Sequence, residues 1–274
     1  MYLCYNPVYN ANSMKLKAST DFAYQLYYPT PVIAMLNPRT DFNQVVHHAA
    51  IHVSPNAPIR EYYDVYGNAC QRILLPQGTI HLKTETIVEV SPTVARNESA
   101  AYVNIENLPV EALQFLLPSR YCVSDSEEVR QLAYQLTGAI SMGYLQVEAI
   151  RSWIHKHISY QYGFTFSSTN STDILVNRIG VCRDFAHLGI ALCRSINIPA
   201  RMVVGFLKDL PFSDLHAWFE AFIGDRWYAF DAVQDYTTGG RIVLAYGRDA
   251  TDVAFITQFG NSVLLSMDVK VEEA

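Results

Sequence analysis

The sequence has no apolar run approaching 18 residues, so no segment is expected to cross a bilayer as a helix. It has no GxxxxGK(S/T), GxGxxG or GxSxG stretch, which leaves phosphate-loop and serine-hydrolase readings without support. It has no CxxC pair. Its five cysteines, Cys4, Cys70, Cys122, Cys182 and Cys193, are odd in number and irregularly spaced. A disulfide framework and a thiolate zinc site are therefore not expected, and a reduced, cytoplasmic compartment is. Positive charge is in the minority, with 20 Lys and Arg against 26 Asp and Glu. That balance excludes a basic footprint for nucleic acid and a polybasic membrane patch. The N-terminus shows no basic start followed by an apolar run, so no secretory signal is expected. Met14 is a second candidate start, which would make residues 1–13 an extension; in the domain division residues 1–15 stand as an N-terminal extension.

What is present is apolar and aromatic. Half of the 274 residues are hydrophobic and 17% are charged, which excludes disorder and allows one or two domains. From Leu16 to Val90 the runs AYQLYY, PVIAML, QVVHHAAIHV, ACQRILL and TIHLKTETIVEV read as strands. Asn37-Pro38, Pro55-Asn56, Gly67-Asn68 and Gln77-Gly78 supply turns between them. Residues 16–120 are expected to form an all-β sandwich that ends in a proline-marked connector over 91–123.

The pattern then changes. Ser124 and Glu127 fit a capping box opening a helix, and a second helix is expected from Leu145 to Ile158. Asp173 is expected to open a short one. The strongest helical stripe runs from Cys182 to Ile196, through Phe185, Leu188, Gly189, Leu192 and Cys193. The strand runs ARMVVGFL, LHAWFEAFI, WYAFDAV, RIVLAY and SVLLSMDVKV follow. Residues 121–274 therefore read as helices followed by an antiparallel sheet, an α+β unit.

Cys182 sits at a helix N-terminus, where free N–H groups and the dipole favour a thiolate and can hold an oxyanion. Arg183 adds a cation. The same position also suits an inert core cysteine. His216 and Asp231 flank a hairpin with Gly224-Asp225 at its turn. If Ile223 and Arg226 close that turn, Trp218 faces Asp231, and His216 is the diagonal neighbour on the same face. A carboxylate can then orient an imidazole beside a thiol, the arrangement of nucleophilic catalysis.

The stretches RIGVCRDFAHLGIALCRSINIPARMVVGF, DLHAWFEAFIGDRWYAFDA and YGRDATDVAF resemble the transglutaminase-like superfamily. Their closest likeness is to its bacterial cysteine-protease branch, in which a β-domain precedes the catalytic domain. The resemblance implies a papain-like fold with Cys182 as nucleophile, His216 as base and Asp231 as orienting acid. It implies amide cleavage on a peptide or protein substrate through a thioester, without a cofactor. Two alternatives remain: an amine acceptor in place of water, making a transglutaminase, and a non-catalytic binding module that kept the fold. His47, His48 and His52 are close in sequence, but His48 and His52 fall on one strand face with no partner acid nearby, so metal binding is not expected there. Asp184 and His187 read as structural, and Trp218 and Trp227 as either cleft walls or core aromatics.

Overall fold

Alternation organises the first half of the chain. In β1 (Met14–Leu26), Leu16, Ala18, Thr20 and Phe22 are buried while Lys15, Lys17, Ser19 and Asp21 between them are not, which turns one face of the strand to the core. The computed structural model describes residues 13–41, 44–210, 214–234 and 239–274. Cys4 and most of the expected extension lie outside the described residues. β2 (Thr30–Ala34), β3 (Val45–Ser54), β5 (Ala69–Leu75) and β6 (Gly78–Val90) fall where strands are expected. β4 (Ile59–Tyr63) is unexpected. Only Ile59 in its IREYY run is even half-buried, so no alternation marks it. The connector holds α1 (Val110–Leu113) between two short 3₁₀ turns.

The helices follow as α2 (Glu127–Thr137), α3 (Tyr144–His157), α4 (Ser171–Asn177) and α5 (Cys182–Ser195). Ser126, not Ser124, caps α2: its Oγ accepts from Val129 N at 3.2 Å, and Glu127 and Glu128 fill the first turn. Asn170, not Asp173, caps α4. Asp173 holds the third helical position and accepts from Asn170 N at 2.9 Å, completing a capping box. β7 (Ser159–Tyr160) and β8 (Ile179–Gly180) make a short parallel bridge beside α4.

β9 (Ala200–Leu207), β10 (His216–Ile223), β11 (Arg226–Phe230) and β12 (Arg241–Gly247) form one antiparallel sheet in the order β11-β10-β9-β12. One face of this sheet receives α5. Gly189 lies at the crossing, and a Cβ there would come 2.5 Å from Phe219 Cε1. Alanine raises helix propensity by about 1 kcal/mol, but overpacking a core costs about 1–3 kcal/mol. Gly189→Ala is therefore expected to lower the melting temperature by a few degrees in a thermal scan. An unchanged or higher value would show that Phe219 turns aside freely.

The same sheet also joins the sandwich. Phe206, Ile242 and Leu244 share a core with Leu16, Phe22, Ile73 and Leu82. The chain also returns there. β14 (Ser262–Glu273) pairs antiparallel with β1, from Leu16↔Glu273 to Leu26↔Ser262, and β13 (Ile256–Gln258) pairs with β2. The two sheets of the sandwich are thus β14-β1-β6-β3 and β13-β2-β5-β4. This corrects the expected boundary after residue 120. SVLLSMDVKV adds its ladder to the first strand of the chain, not to the sheet beside α5.

Candidate active site

The local sequence fixes Cys182 at the first position of α5. Gly180, two residues earlier, has no room for a side chain, since a Cβ would lie 2.8 Å from Asp184 Cβ. The Asp184 carboxylate is fully buried and folds back over the helix start. Its Oδ2 accepts from Val181 N at 3.0 Å and from Thr165 Oγ1 at 2.8 Å. That is the structural role expected for it. Arg183 does not stand beside the thiol as a lone cation: its Nη2 lies 3.1 Å from Asp184 Oδ1. As the first helical residue, Cys182 has an N–H without an intrahelical acceptor.

Cys182 is half-buried, whereas Cys70, Cys122 and Cys193 are buried. Burial pushes the Cys122 thiol up to about 12 and raises that of Cys193 as well. Those two thiols are held in the unreactive form.

The β10–β11 hairpin has the register read from the sequence. Ile223 pairs with Arg226 and Phe219 with Phe230, and Gly224 supplies a positive φ of 62° at the turn. Asp231 follows directly after β11, and its Oδ2 lies 2.7 Å from His216 Nε2. Both side chains are almost fully buried. Arg241 Nη2 donates to the same Oδ2 at 3.0 Å. Val233 N donates to Oδ1 at 3.0 Å. Burial opposes ionisation of both partners. For Asp231, the charges and hydrogen bonds of His216 and Arg241 win, holding the carboxyl well below its usual range. For His216, the Asp231 charge and hydrogen bond outweigh burial. With the nearby Cys182 thiol, they raise it to about 10. Because Asp231 takes Nε2, Nδ1 is the ring nitrogen left for the thiol. A charged imidazolium, a buried carboxylate and a thiol at a helix start can together run acyl transfer.

The other expectations divide. His187 is fully buried and stacks on Tyr121 at 5.0 Å, with its Nε2 accepting from Ala250 N at 3.1 Å, so it packs the helix. Trp218 is a buried core aromatic whose ring lies 6.1 Å from that of His216. Trp227 is remote from the thiol. It stacks under Arg201 at 4.1 Å and meets Phe115 and Phe222 edge-on. The acid judged missing near the histidines of β3 is present. His47 Nε2 lies 3.1 Å from Glu89 Oε2, and His48 and His52 act on the charge of Glu85. These acids sit on β6, paired with β3 and far away in sequence. Among the described residues, no group of three or more His, Cys, Asp or Glu is placed to hold a metal ion. Among them, too, no helix is long and apolar enough to cross a membrane. Arg241 is the site residue that sequence reasoning missed. An arginine opening a strand reads as an ordinary solvated end, and nothing local ties it to Asp231.

Comparison with known proteins bears on this geometry. Residues 130–232, which contain all three site residues, match the transglutaminase-like superfamily. Residues 21–91 match the bacterial transglutaminase-like N-terminal region. The fold is similar to the crystal structure of a candidate cysteine protease from Cytophaga hutchinsonii. The two are 36% identical, with a TM-score of 0.87 over 96% of this chain and 91% of that one. An uncharacterized protein of Mycobacterium leprae is 27% identical over 267 residues, covering 88% of this chain and 90% of its own. One of Mycobacterium tuberculosis is 29% identical over 272 residues, covering 85% and 84%.

Proposed function

The chain belongs to the transglutaminase-like superfamily, and from that premise we propose that it is a cysteine hydrolase cleaving an amide bond in a peptide or protein. The observation that carries this reading is the buried His216–Asp231 pair, 2.7 Å apart, beside a thiol at the start of α5. The Cys182 thiolate attacks the carbonyl carbon, and the Cys182 N–H helps to hold the oxyanion. The C–N bond then breaks as His216 gives its proton to the leaving amine. That leaves a thioester. Water attacks the thioester, His216 takes the water proton, and the acid leaves as the thiolate returns. Asp231 keeps the imidazole oriented and stabilises its charged form, while Arg241 holds Asp231. These steps use the chain's own groups and water. A reducing compartment, which we take to be the cytoplasm, suits the four described free cysteines.

Brief iodoacetamide treatment of folded protein at neutral pH tests this reading. Cys182 is expected to be alkylated well before Cys70, Cys122 and Cys193, as resolved by peptide mass spectrometry. Labelling of all four at similar rates would overturn it.

A further inference from the structure

Two tyrosines and an aspartate link the strand beside the start of α5 to the chain just before β10, forming a rim to which the catalytic steps above give no role. Tyr160 pairs with Gly180 across the β7–β8 bridge, two residues before Cys182. Its ring lies 5.9 Å from that of Phe185, one turn along α5 from the thiol. Tyr160 therefore stands on the nucleophile side. Its hydroxyl donates to the Tyr162 hydroxyl at 3.3 Å, and Tyr162 donates to Asp214 Oδ2 at 2.6 Å. Asp214 lies two residues before His216, and its Oδ1 accepts from Leu215 N at 2.7 Å. The bonds run from the strand beside the nucleophile to the strand of the base.

Every proton in this chain points toward Asp214, which leaves the Tyr160 oxygen as an acceptor. Burial first, and the Cys182 charge second, raise the Tyr160 hydroxyl, so it stays protonated. The charges around it are otherwise matched. Arg183 is held by Asp184, and Arg241 by Asp231. Among the described residues no cation pairs with Asp214. Tyr162 keeps about half of its surface in solvent. The rim thus offers a carboxylate, an exposed aromatic face and a hydroxyl acceptor, all of which favour a cation.

We propose that Tyr162 and Asp214 select a substrate group of positive charge, an ammonium or guanidinium, next to the reacting carbonyl. This rests on Cys182 being the nucleophile. Tyr160 acts as a positioning residue that holds Tyr162 across the rim.

Charged thiol reagents test the proposal without a known substrate. Cys182 is labelled with a trimethylammonioethyl and with a sulfonatoethyl methanethiosulfonate, and each rate is divided by that for free cysteine. The cationic-to-anionic ratio is expected to fall about three- to tenfold in Asp214→Asn. It should fall further in the double variant with Tyr162→Ala, which also removes the π face. An unchanged ratio in both variants overturns the proposal. Uncharged iodoacetamide on the wild type separates the two readings. Ordinary reactivity there sinks the catalytic reading, and this proposal with it. Fast iodoacetamide labelling with an unchanged charge ratio sinks only this proposal.

Acyl transfer then locates the charge. The acyl donors are 4-nitrophenyl acetate and the cationic 4-nitrophenyl ester of glycine, with water or cadaverine as acceptor. An Asp214→Asn loss confined to the glycine ester places the cation on the acyl side. A loss confined to N-acetylcadaverine places it on the amine side. No loss in either arm overturns the proposal.

Discussion

Asp231→Asn is expected to leave a folded protein whose turnover is lower by about ten- to a thousandfold, against near-total loss for Cys182→Ala. The geometry of the carboxylate gives the reason. Oδ2 accepts from both His216 Nε2 and Arg241 Nη2, while Oδ1 accepts from Val233 N. An asparagine has one acceptor oxygen and one donor amide at these two positions. With its oxygen toward Val233, the amide faces two donors, Arg241 and a protonated His216. Flipped, it faces the Val233 N–H. Either orientation loses a bond and leaves the imidazolium without a counter-charge. In serine triads the same change costs about four orders of magnitude in turnover. A thiol is the more acidic nucleophile, so the loss here should be smaller. Hydrolysis of 4-nitrophenyl acetate supplies the measurement, with circular dichroism as the check on folding. Wild-type turnover in Asp231→Asn would show that the pair is structural only.

The same pair sets a pH dependence with a definite sign. His216 is raised from 6.5 to about 10, so its protonated form stabilises the fold fully below pH 6.5 and loses that contribution as pH rises toward 10. Asp231 is held below its ordinary value of 3.8, so its contribution is present above that value and lost as pH falls below it. The difference in melting temperature between wild type and Asp231→Asn should therefore be widest between about pH 4 and 6.5 and should narrow toward pH 10. Alkylation of Cys182 at neutral pH should slow in His216→Ala, because the charged imidazole no longer stands beside the thiol.

What the sequence makes legible here is what is local. The stripe from Cys182 to Ile196 repeats at helical spacing, so α5 could be drawn to within a residue. The hairpin is two strands and a two-residue turn, and parity alone puts His216 and Asp231 on one face. Partners far apart in sequence were not legible. Arg241 reaches Asp231 from a different strand, and Asp214 receives Tyr162 from 52 residues away. Neither leaves a periodic trace. The glutamates beside the β3 histidines were hidden for the same reason, since they come from the neighbouring strand. β14 is the largest such case. Its alternation marks it as a strand, but alternation carries no information about which edge it joins.

That misplacement has a measurable consequence. A fragment starting at residue 121 would be expected to fold if the two halves had separate cores. The observed pairing predicts that it is insoluble or unfolded. Without β1, the whole of β14 from Ser262 to Glu273 loses its ladder and becomes a long unpaired strand, an edge that invites aggregation. Without the sandwich, Phe206, Ile242 and Leu244 lose the residues that cover them and turn to water. Each such side chain is worth about 1.5–3 kcal/mol when buried. Three of them together rival much of the roughly 5–15 kcal/mol by which a protein is stable. Truncating at residue 255 as well removes the unpaired strand but leaves the exposed face, so that fragment should also fail. Co-expression with residues 13–100 restores both the face and, for the longer fragment, the ladder. The fragment starting at 121 should then be recovered in the soluble fraction as a complex. If it is soluble alone, with a cooperative thermal transition, the shared core is dispensable and the two halves are separate folding units after all.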